Sequence, residues 1–194
     1  MNRRFLVRRS IARAALRAAR WNVTGTVPQK GILVGAPHTS NWDWVATILM
    51  SWSQSTQPTI MVKKEHFKGP FGPLLKSTGS IPIDRKNPGE TVRELLAHAE
   101  GNENFCLAIA AEGTRSKAEY WKSGFYRISA QTGLPIALGF IDGPTRTVGV
   151  GPIFTPTGNV TDDMNRIREF YADKLGINPE MRTEPRLREE GETG

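Results

Sequence analysis

Short apolar runs alternate with helix-periodic segments along most of this chain, and that alternation strongly limits what it can fold into. Runs typical of buried strands are predicted at residues 31–36, 59–63, 80–84, 105–110, 135–141 and 146–154. Helices are predicted near residues 41–54, 70–78, 89–100, 123–132 and 162–175. Strands that alternate with helices favour a single-domain α/β sandwich, with a mixed, largely parallel sheet flanked by helices. At 194 residues the chain is long enough for one such domain.

His38 follows the first predicted strand, and Asp43 lies five residues later, at the start of the next helix. Within one helix, positions i and i+5 are about 140° apart, so the two side chains can meet only if His38 lies on the turn before the helix. From that turn, Nδ1 of the imidazole could donate a hydrogen bond to Asp43, which leaves Nε2 free to act as a base. The alternative is a structural histidine beside a carboxylate that stabilises the helix N-terminus.

Basic residues lie at the ends of two other predicted strands. Lys63 ends the run at 59–63, and Arg85 follows the run at 80–84. Open α/β sheets assemble their binding sites at the carboxyl ends of strands, and a guanidinium group can bind a phosphate through two parallel hydrogen bonds. We therefore predict Arg85 and Lys63 as candidate ligands for an anionic group, with surface ion pairs as the alternative.

Four blocks, in this order, resemble the glycerolipid acyltransferase family, whose members acylate lysophosphatidic acid or glycerol 3-phosphate. The blocks are H-x-x-x-x-D at 38–43, G-x-x-x-x-x-R at 79–85, E-G-T-R at 112–115 and a proline-containing strand at 134–136. The resemblance implies that His38 is the general base, that Asp43 orients it and that Arg85 binds the phosphate of the acceptor. It also implies an acceptor-binding corner that consists of Glu112, Gly113, Thr114 and Arg115. Glu112 either orients Arg115 or accepts a hydrogen bond from an acceptor hydroxyl.

The resemblance implies transfer of a fatty acyl group from acyl-CoA or acyl carrier protein to the hydroxyl of a phosphorylated, lysophosphatidic acid-like acceptor. A base that removes the hydroxyl proton is sufficient for this reaction, and no enzyme nucleophile is required. The chain has no Gly-x-Ser-x-Gly motif, and its one cysteine, Cys106, lies in an apolar run typical of a core. No metal-ligand spacing is recognisable, so we expect neither a metal nor a cofactor. Two other functions stay open: a thioester hydrolase with the same base, and a non-catalytic protein that binds membrane lipids.

The formal net charge of +7 is concentrated at the amino end of the chain. Seven arginines and no acidic residue lie within the first 21 positions, and the remaining chain is neutral. Val7, Ile11, Ala14 and Ala18 share one helical face. This pattern predicts a basic amphipathic helix at residues 1–22 that binds an anionic membrane surface through residues 1–21. Packing of that helix on the core is the alternative, and nucleic-acid binding is disfavoured because the remaining chain has no basic excess.

Composition also predicts the domain limits and the location of the protein. Residues 23–177 form the predicted acyltransferase domain, and residues 178–194 are charged and polar without periodicity, which predicts a flexible tail. No apolar run reaches the roughly 18 residues that cross a bilayer. A single cysteine is compatible with a reducing compartment. We therefore expect a cytoplasmic protein, peripheral on the inner face of a membrane.

Overall fold

The computed structural model describes residues 3–83, 97, 99 and 101–191 of the chain. Its helices are α1 (Arg3–Ala18), α2 (Trp42–Ser53), α3 (Gly72–Ser77), α4 (Gly124–Thr132) and α5 (Val160–Tyr171). Its strands are β1 (Asn22–Thr24), β2 (Gly31–Ala36), β3 (Thr59–Lys63), β4 (Ser80–Ile83), β5 (Cys106–Ala110), β6 (Ile136–Asp142) and β7 (Thr147–Phe154). Short 3-10 helices occupy Lys64–Lys68, Pro179–Met181 and Arg188–Gly191. The helix predicted near residues 89–100 lies largely outside the described residues.

Within the described residues the strands form one seven-stranded sheet in the order β1-β7-β6-β2-β5-β3-β4. β2 lies in the middle and pairs in parallel with β5 on one side and β6 on the other. β6 and β7 are antiparallel, and the other pairs are parallel. The predicted α/β fold with a mixed, largely parallel sheet is confirmed. Because β2 is central, the turn that follows its carboxyl end lies between neighbouring strand ends and not at the margin of the sheet.

Helices cover both faces of the sheet. Successive side chains of β2 point to opposite faces, and they are therefore buried on both. Ile32 and Val34 belong to one apolar cluster, which includes the α4 and α5 residues Phe125, Ile128, Met164 and Ile167. Leu33 belongs to a second cluster, which includes the α1 and α2 residues Leu16, Ala46, Ile48 and Met50. A strand that is packed on both faces cannot slide or tilt without opening a cavity, so β2 holds its following turn in place.

The N-terminal helix α1 packs against α2. Ala12 of α1 is fully buried, and Leu16 is 5 % exposed. The Arg8 guanidinium lies 4.9 Å from the centre of the Trp52 ring and donates a hydrogen bond of 2.9 Å to the carbonyl of Ser77. The helix is therefore attached to the domain by apolar contacts and by arginine side chains together.

The face of α1 that the sequence analysis selects as apolar is not the buried one. Val7 is 58 % exposed and Ile11 is 56 % exposed. Ala12 and Leu16 form the buried side instead, and Arg13 adds a hydrogen bond from Nε to the carbonyl of Ser53 (3.1 Å). Consequently α1 presents apolar side chains to solvent although it is packed on the domain. No helix in the described part of the chain is long and apolar enough to cross a membrane.

The segment after residue 178 differs from the flexible tail that its composition suggested. Residues 178–191 lie against the domain: Thr183 is 1 % exposed and Leu187 is 2 % exposed. The backbone N–H of Trp121 donates to the carbonyl of Arg186 over 2.7 Å. A few buried side chains and backbone hydrogen bonds are enough to fix this segment, and neither produces a periodic pattern in the sequence.

Candidate active site

The turn after β2 brings His38 and Asp43 together. Nδ1 of His38 lies 3.0 Å from Oδ2 of Asp43, although the two residues are five positions apart. The His38 side chain is 24 % exposed and the Asp43 side chain is 9 % exposed. His38 lies on the turn and Asp43 lies in the first turn of α2, which is the arrangement that the five-residue spacing predicts. The pair therefore consists of a nearly buried carboxylate and a partly accessible imidazole.

The Asp43 carboxylate organises the whole turn. Besides His38, its Oδ2 atom accepts hydrogen bonds from the backbone N–H groups of Thr39 (2.7 Å) and Ser40 (2.8 Å). Asn41, at the N-cap position of α2, makes no capping hydrogen bond through its side chain within the described residues. Asp43 thus fixes the chain just before the helix, and Oγ of Ser40 accepts the first helical N–H, that of Trp42 (3.2 Å). Three donors on one oxygen fix the direction of the carboxylate.

Contact with Asp43 decides which imidazole nitrogen of His38 is available. A carboxylate that accepts from Nδ1–H stabilises the tautomer in which Nε2 carries the lone pair. Among the described residues, Nε2 has no hydrogen-bond partner. His38 therefore presents a partly accessible Nε2 while Nδ1 is held by the adjacent carboxylate.

Glu112, which follows β5, contacts the same turn from the neighbouring strand. Its side chain is completely buried, and Oε1 accepts the backbone N–H of His38 over 3.1 Å. Sequence analysis left two roles open for Glu112, a contact with Arg115 or with an acceptor hydroxyl. The structure gives this carboxyl another partner, the backbone of His38, so that Glu112 joins the E-G-T-R corner to the turn.

Burial raises the pKa of Glu112 from its ordinary value of 4.5 to about 7. The N–H and the charge of His38 oppose this shift of the pKa, and the charge of Asp43 adds to it. Its second oxygen, Oε2, is buried and has no partner in the described part of the chain. Near neutral pH a large fraction of Glu112 is therefore protonated, because burial disfavours the charged form of its carboxyl group.

The rest of the E-G-T-R corner forms a tight turn with an exposed cation. Gly113 has φ +67°, and a Cβ atom there would lie 2.9 Å from Cγ of Lys122. Both facts require glycine at this position. Thr114 accepts the N–H of Ser116 through Oγ1 (3.3 Å), and Arg115 is exposed. Arg115 is thus accessible to an anion from solvent.

The two other predicted anion ligands have different outcomes. Lys63 ends β3 and is exposed. β3 runs parallel to β5, the strand that precedes Glu112, so Lys63 and Arg115 both follow carboxyl ends of adjacent strands. Arg85 lies outside the described residues, and its role stays a prediction.

Cys106 lies at the start of β5 and is buried. Burial raises the pKa of its thiol to about 12. A thiol with this pKa forms almost no thiolate at neutral pH, and the thiolate is the nucleophilic form. Cys106 is therefore unsuited to a covalent acyl-enzyme intermediate.

Two contacts at the site have no counterpart in the sequence analysis. Thr39, next to His38, is 4 % exposed and is hydrogen-bonded to Asn178. The fully buried Tyr171 places its hydroxyl 3.0 Å from the carbonyl of Val34 in β2. The partners are 139 and 137 positions apart, so local patterns could not reveal these contacts.

A comparison with protein families identifies the domain. The model of the Acyltransferase family matches residues 20–137, which is more than half of the chain. The chain belongs to the acyltransferase family. The match includes the turn with His38 and Asp43 and the corner at 112–115, and it ends before α5 and the C-terminal segment.

A solved structure supports the fold of this acyltransferase. This chain is similar to the crystal structure of the 1-acyl-sn-glycerophosphate (LPA) acyltransferase PlsC from Thermotoga maritima, with a TM-score of 0.58 and 16 % sequence identity. The similarity covers 87 % of this chain and 75 % of the other. None of the curated proteins compared with the chain matches it.

Proposed function

We propose that this acyltransferase moves a fatty acyl group from a thioester donor to the hydroxyl of a phosphorylated, lysophosphatidic acid-like acceptor. The donor is acyl-CoA or acyl carrier protein. The observation that carries the proposal is the 3.0 Å contact between Nδ1 of His38 and Oδ2 of Asp43 at the end of the central strand. Membership of the acyltransferase family supports the reaction, and the acceptor of the Thermotoga maritima protein supports the choice of acceptor class.

In the proposed reaction Nε2 of His38 removes the proton of the acceptor hydroxyl while its oxygen attacks the thioester carbonyl. A carbon–oxygen bond forms, the carbon–sulfur bond then breaks, and the imidazolium returns the proton to the leaving thiolate. Asp43 stabilises the positive charge that His38 carries in between. Such proton transfer typically contributes about 10²- to 10⁴-fold in rate. The donor is a co-substrate, and the proposal includes no resident cofactor or metal.

Cations beside the site suit the phosphate of the acceptor. Arg115 and Lys63 are exposed and follow the carboxyl ends of β5 and β3. Guanidinium and ammonium groups bind phosphate through charge-assisted hydrogen bonds. We include Arg85 in the same role because of its place in the family block. The role that we propose for the buried Glu112 is to bind the backbone N–H of His38.

Dependence on the acceptor tests the proposed reaction. The purified protein should convert acyl-CoA and lysophosphatidic acid into the diacyl product, at a rate that saturates with lysophosphatidic acid. Mass spectrometry identifies the product, and a thiol assay measures CoA release. Release of free fatty acid at a rate that does not change with acceptor would instead identify a thioester hydrolase. Absence of turnover with both donor types and a panel of lysolipids would support a non-catalytic lipid-binding protein.

We further propose that α1 attaches the enzyme to the inner, cytoplasmic face of an anionic membrane. Val7, Ile11 and the 36 % exposed Leu6 present apolar surface to solvent. The seven arginines of residues 1–21 supply the positive charge. Buried apolar surface together with attraction to anionic lipids is what holds an interfacial helix on a bilayer.

Replacing Val7 and Ile11 together with serine should weaken binding to anionic vesicles by about 30-fold, because apolar side chains that enter the interface contribute roughly 1 kcal/mol each. Sedimentation with phosphatidylglycerol-containing vesicles measures this change. Ile153→Ser is the matched control, since Ile153 is 51 % exposed on β7, away from α1. If the double variant binds as tightly as the control, α1 is not the membrane contact.

A further inference from the structure

We infer that residues 176–178, which include Asn178, position the catalytic turn by holding Thr39. They thereby fix the orientation of His38. This inference rests on the proposed role of His38 as general base. It assigns a function to a segment that lies beyond the residues matched by the family model. Asn178 and Thr39 act through His38 and Asp43 and are positioning residues.

Every polar group of Thr39 is engaged. Oγ1 of Thr39 accepts the backbone N–H groups of Ile177 (3.1 Å) and Asn178 (3.0 Å). The carbonyl of Thr39 accepts Nδ2 of Asn178 over 2.8 Å. Its N–H donates to Oδ2 of Asp43 over 2.7 Å. Three of these hydrogen bonds tie Thr39 to the C-terminal segment, and the fourth ties it to the carboxylate that contacts His38.

Thr39 is therefore the mechanical link between residues 176–178 and the catalytic pair. It immediately follows His38, and both residues bond to the same Asp43 oxygen. A shift of Thr39 would move the His38 backbone, and it would also change the donors around Oδ2 of Asp43. Misplacement of a reacting group by about 1 Å can lower a rate by about 100-fold.

The close approach of the two segments depends on Gly176. Its φ of +76° lies in the left-handed region, and a Cβ atom there would lie 2.9 Å from Oγ1 of Thr39 and 3.1 Å from Cβ of Pro37. A side chain at position 176 would therefore push the C-terminal segment away from the turn. The backbone of this segment is shaped to lie directly on Pro37 and Thr39.

The sheet holds residues 175–178 in place, so these residues can in turn hold the turn that contains Thr39. The N–H of Gly143 donates to the carbonyl of Gly176 over 2.9 Å. Asp142, at the end of β6, is 4 % exposed and accepts the N–H of Leu175 through Oδ1 (3.0 Å). β6 is the direct neighbour of β2. The turn after β2 is thus supported from the adjacent strand through residues 175–178.

Two variants remove the contact in different ways and test the inference. Asn178→Ala removes the hydrogen bond to the Thr39 carbonyl, and Thr39→Val removes the acceptor for two backbone N–H groups at nearly constant shape. Each should lower kcat of acyl transfer by about 10- to 100-fold while KM for the donor changes less than about twofold. Thr39→Ser keeps the hydroxyl and should restore most of the rate lost in Thr39→Val. Glu180→Ala, an exposed neighbour in the same segment, is the control for general effects of mutation.

A spectroscopic measurement separates this inference from the proposed function. Nitrogen-15 NMR of histidine-labelled protein reports whether His38 holds its proton on Nδ1, and His38→Gln identifies the signal. We expect a fixed Nδ1–H tautomer in the wild type and in Thr39→Ser, and averaged tautomers in Asn178→Ala and Thr39→Val. This pattern without any turnover would refute the acyl-transfer proposal and keep the positioning role. Unchanged tautomers and unchanged kcat in both Asn178→Ala and Thr39→Val would overturn the positioning role.

Discussion

Replacing His38 with alanine is expected to lower the rate of acyl transfer by about 10²- to 10⁴-fold, the usual contribution of a positioned general base. The variant loses Nε2, which takes the hydroxyl proton in the proposed reaction, and it loses the donor that contacts Asp43. It keeps the backbone N–H that donates to Glu112. The measurement is the initial rate of diacyl product formation from acyl-CoA and lysophosphatidic acid, with thermal unfolding to confirm that the variant is folded.

Loss of the base should leave the rest of the protein intact. The His38 side chain is 24 % exposed, so the space that its removal leaves is open to solvent, and vesicle binding through α1 should not change. His66→Ala is the matched control, because His66 is exposed in the 3-10 helix Lys64–Lys68. A folded His38→Ala protein that turns over at the wild-type rate would remove His38 from the mechanism.

The second large effect concerns the stability of the protein between acidic and neutral pH. Burial raises the pKa of Glu112 from 4.5 to about 7, so in this range the native protein keeps a proton that the unfolded chain releases. The free energy of unfolding then falls as the pH rises from about 4.5 to about 7, and the loss stays constant above that. At about 1.4 kcal/mol per pKa unit, the loss is on the order of 3 kcal/mol.

Glu112→Gln should abolish this particular loss, because the amide cannot ionise and its carbonyl oxygen can still accept the His38 N–H. The free energy of unfolding of the variant minus that of wild type should therefore rise by on the order of 3 kcal/mol from pH 4.5 to pH 8. Urea unfolding at several pH values measures the difference. Glu103→Gln is the control, since its side chain is 85 % exposed. Parallel curves for wild type and Glu112→Gln would contradict a raised pKa.

Local sequence predicted the contact between His38 and Asp43, because two side chains at this spacing meet when the histidine lies on the turn before the helix. It did not predict that Glu112 binds the His38 backbone, since those residues are 74 positions apart and the contact depends on the pairing of β2 with β5. For α1, periodicity identified the apolar face at Val7 and Ile11, and this face lies outward in the structure. Only the tertiary structure shows that the side with Ala12 and Leu16 is the buried one, because that side packs against the domain.

The sequence by itself determined strands β2 to β7 and the described α-helices but not the short strand β1, and it determined the position of His38 on a turn and the blocks that resemble the family. Apolar periodicity and chain stereochemistry act over a few residues, and so they leave a readable trace. Only the tertiary structure decided the order of strands in the sheet, the burial of Glu112 and the attachment of residues 176–191. These depend on hydrogen bonds and packing between residues far apart in the chain, such as Thr39 and Asn178. Such contacts impose no local pattern on the residues that make them.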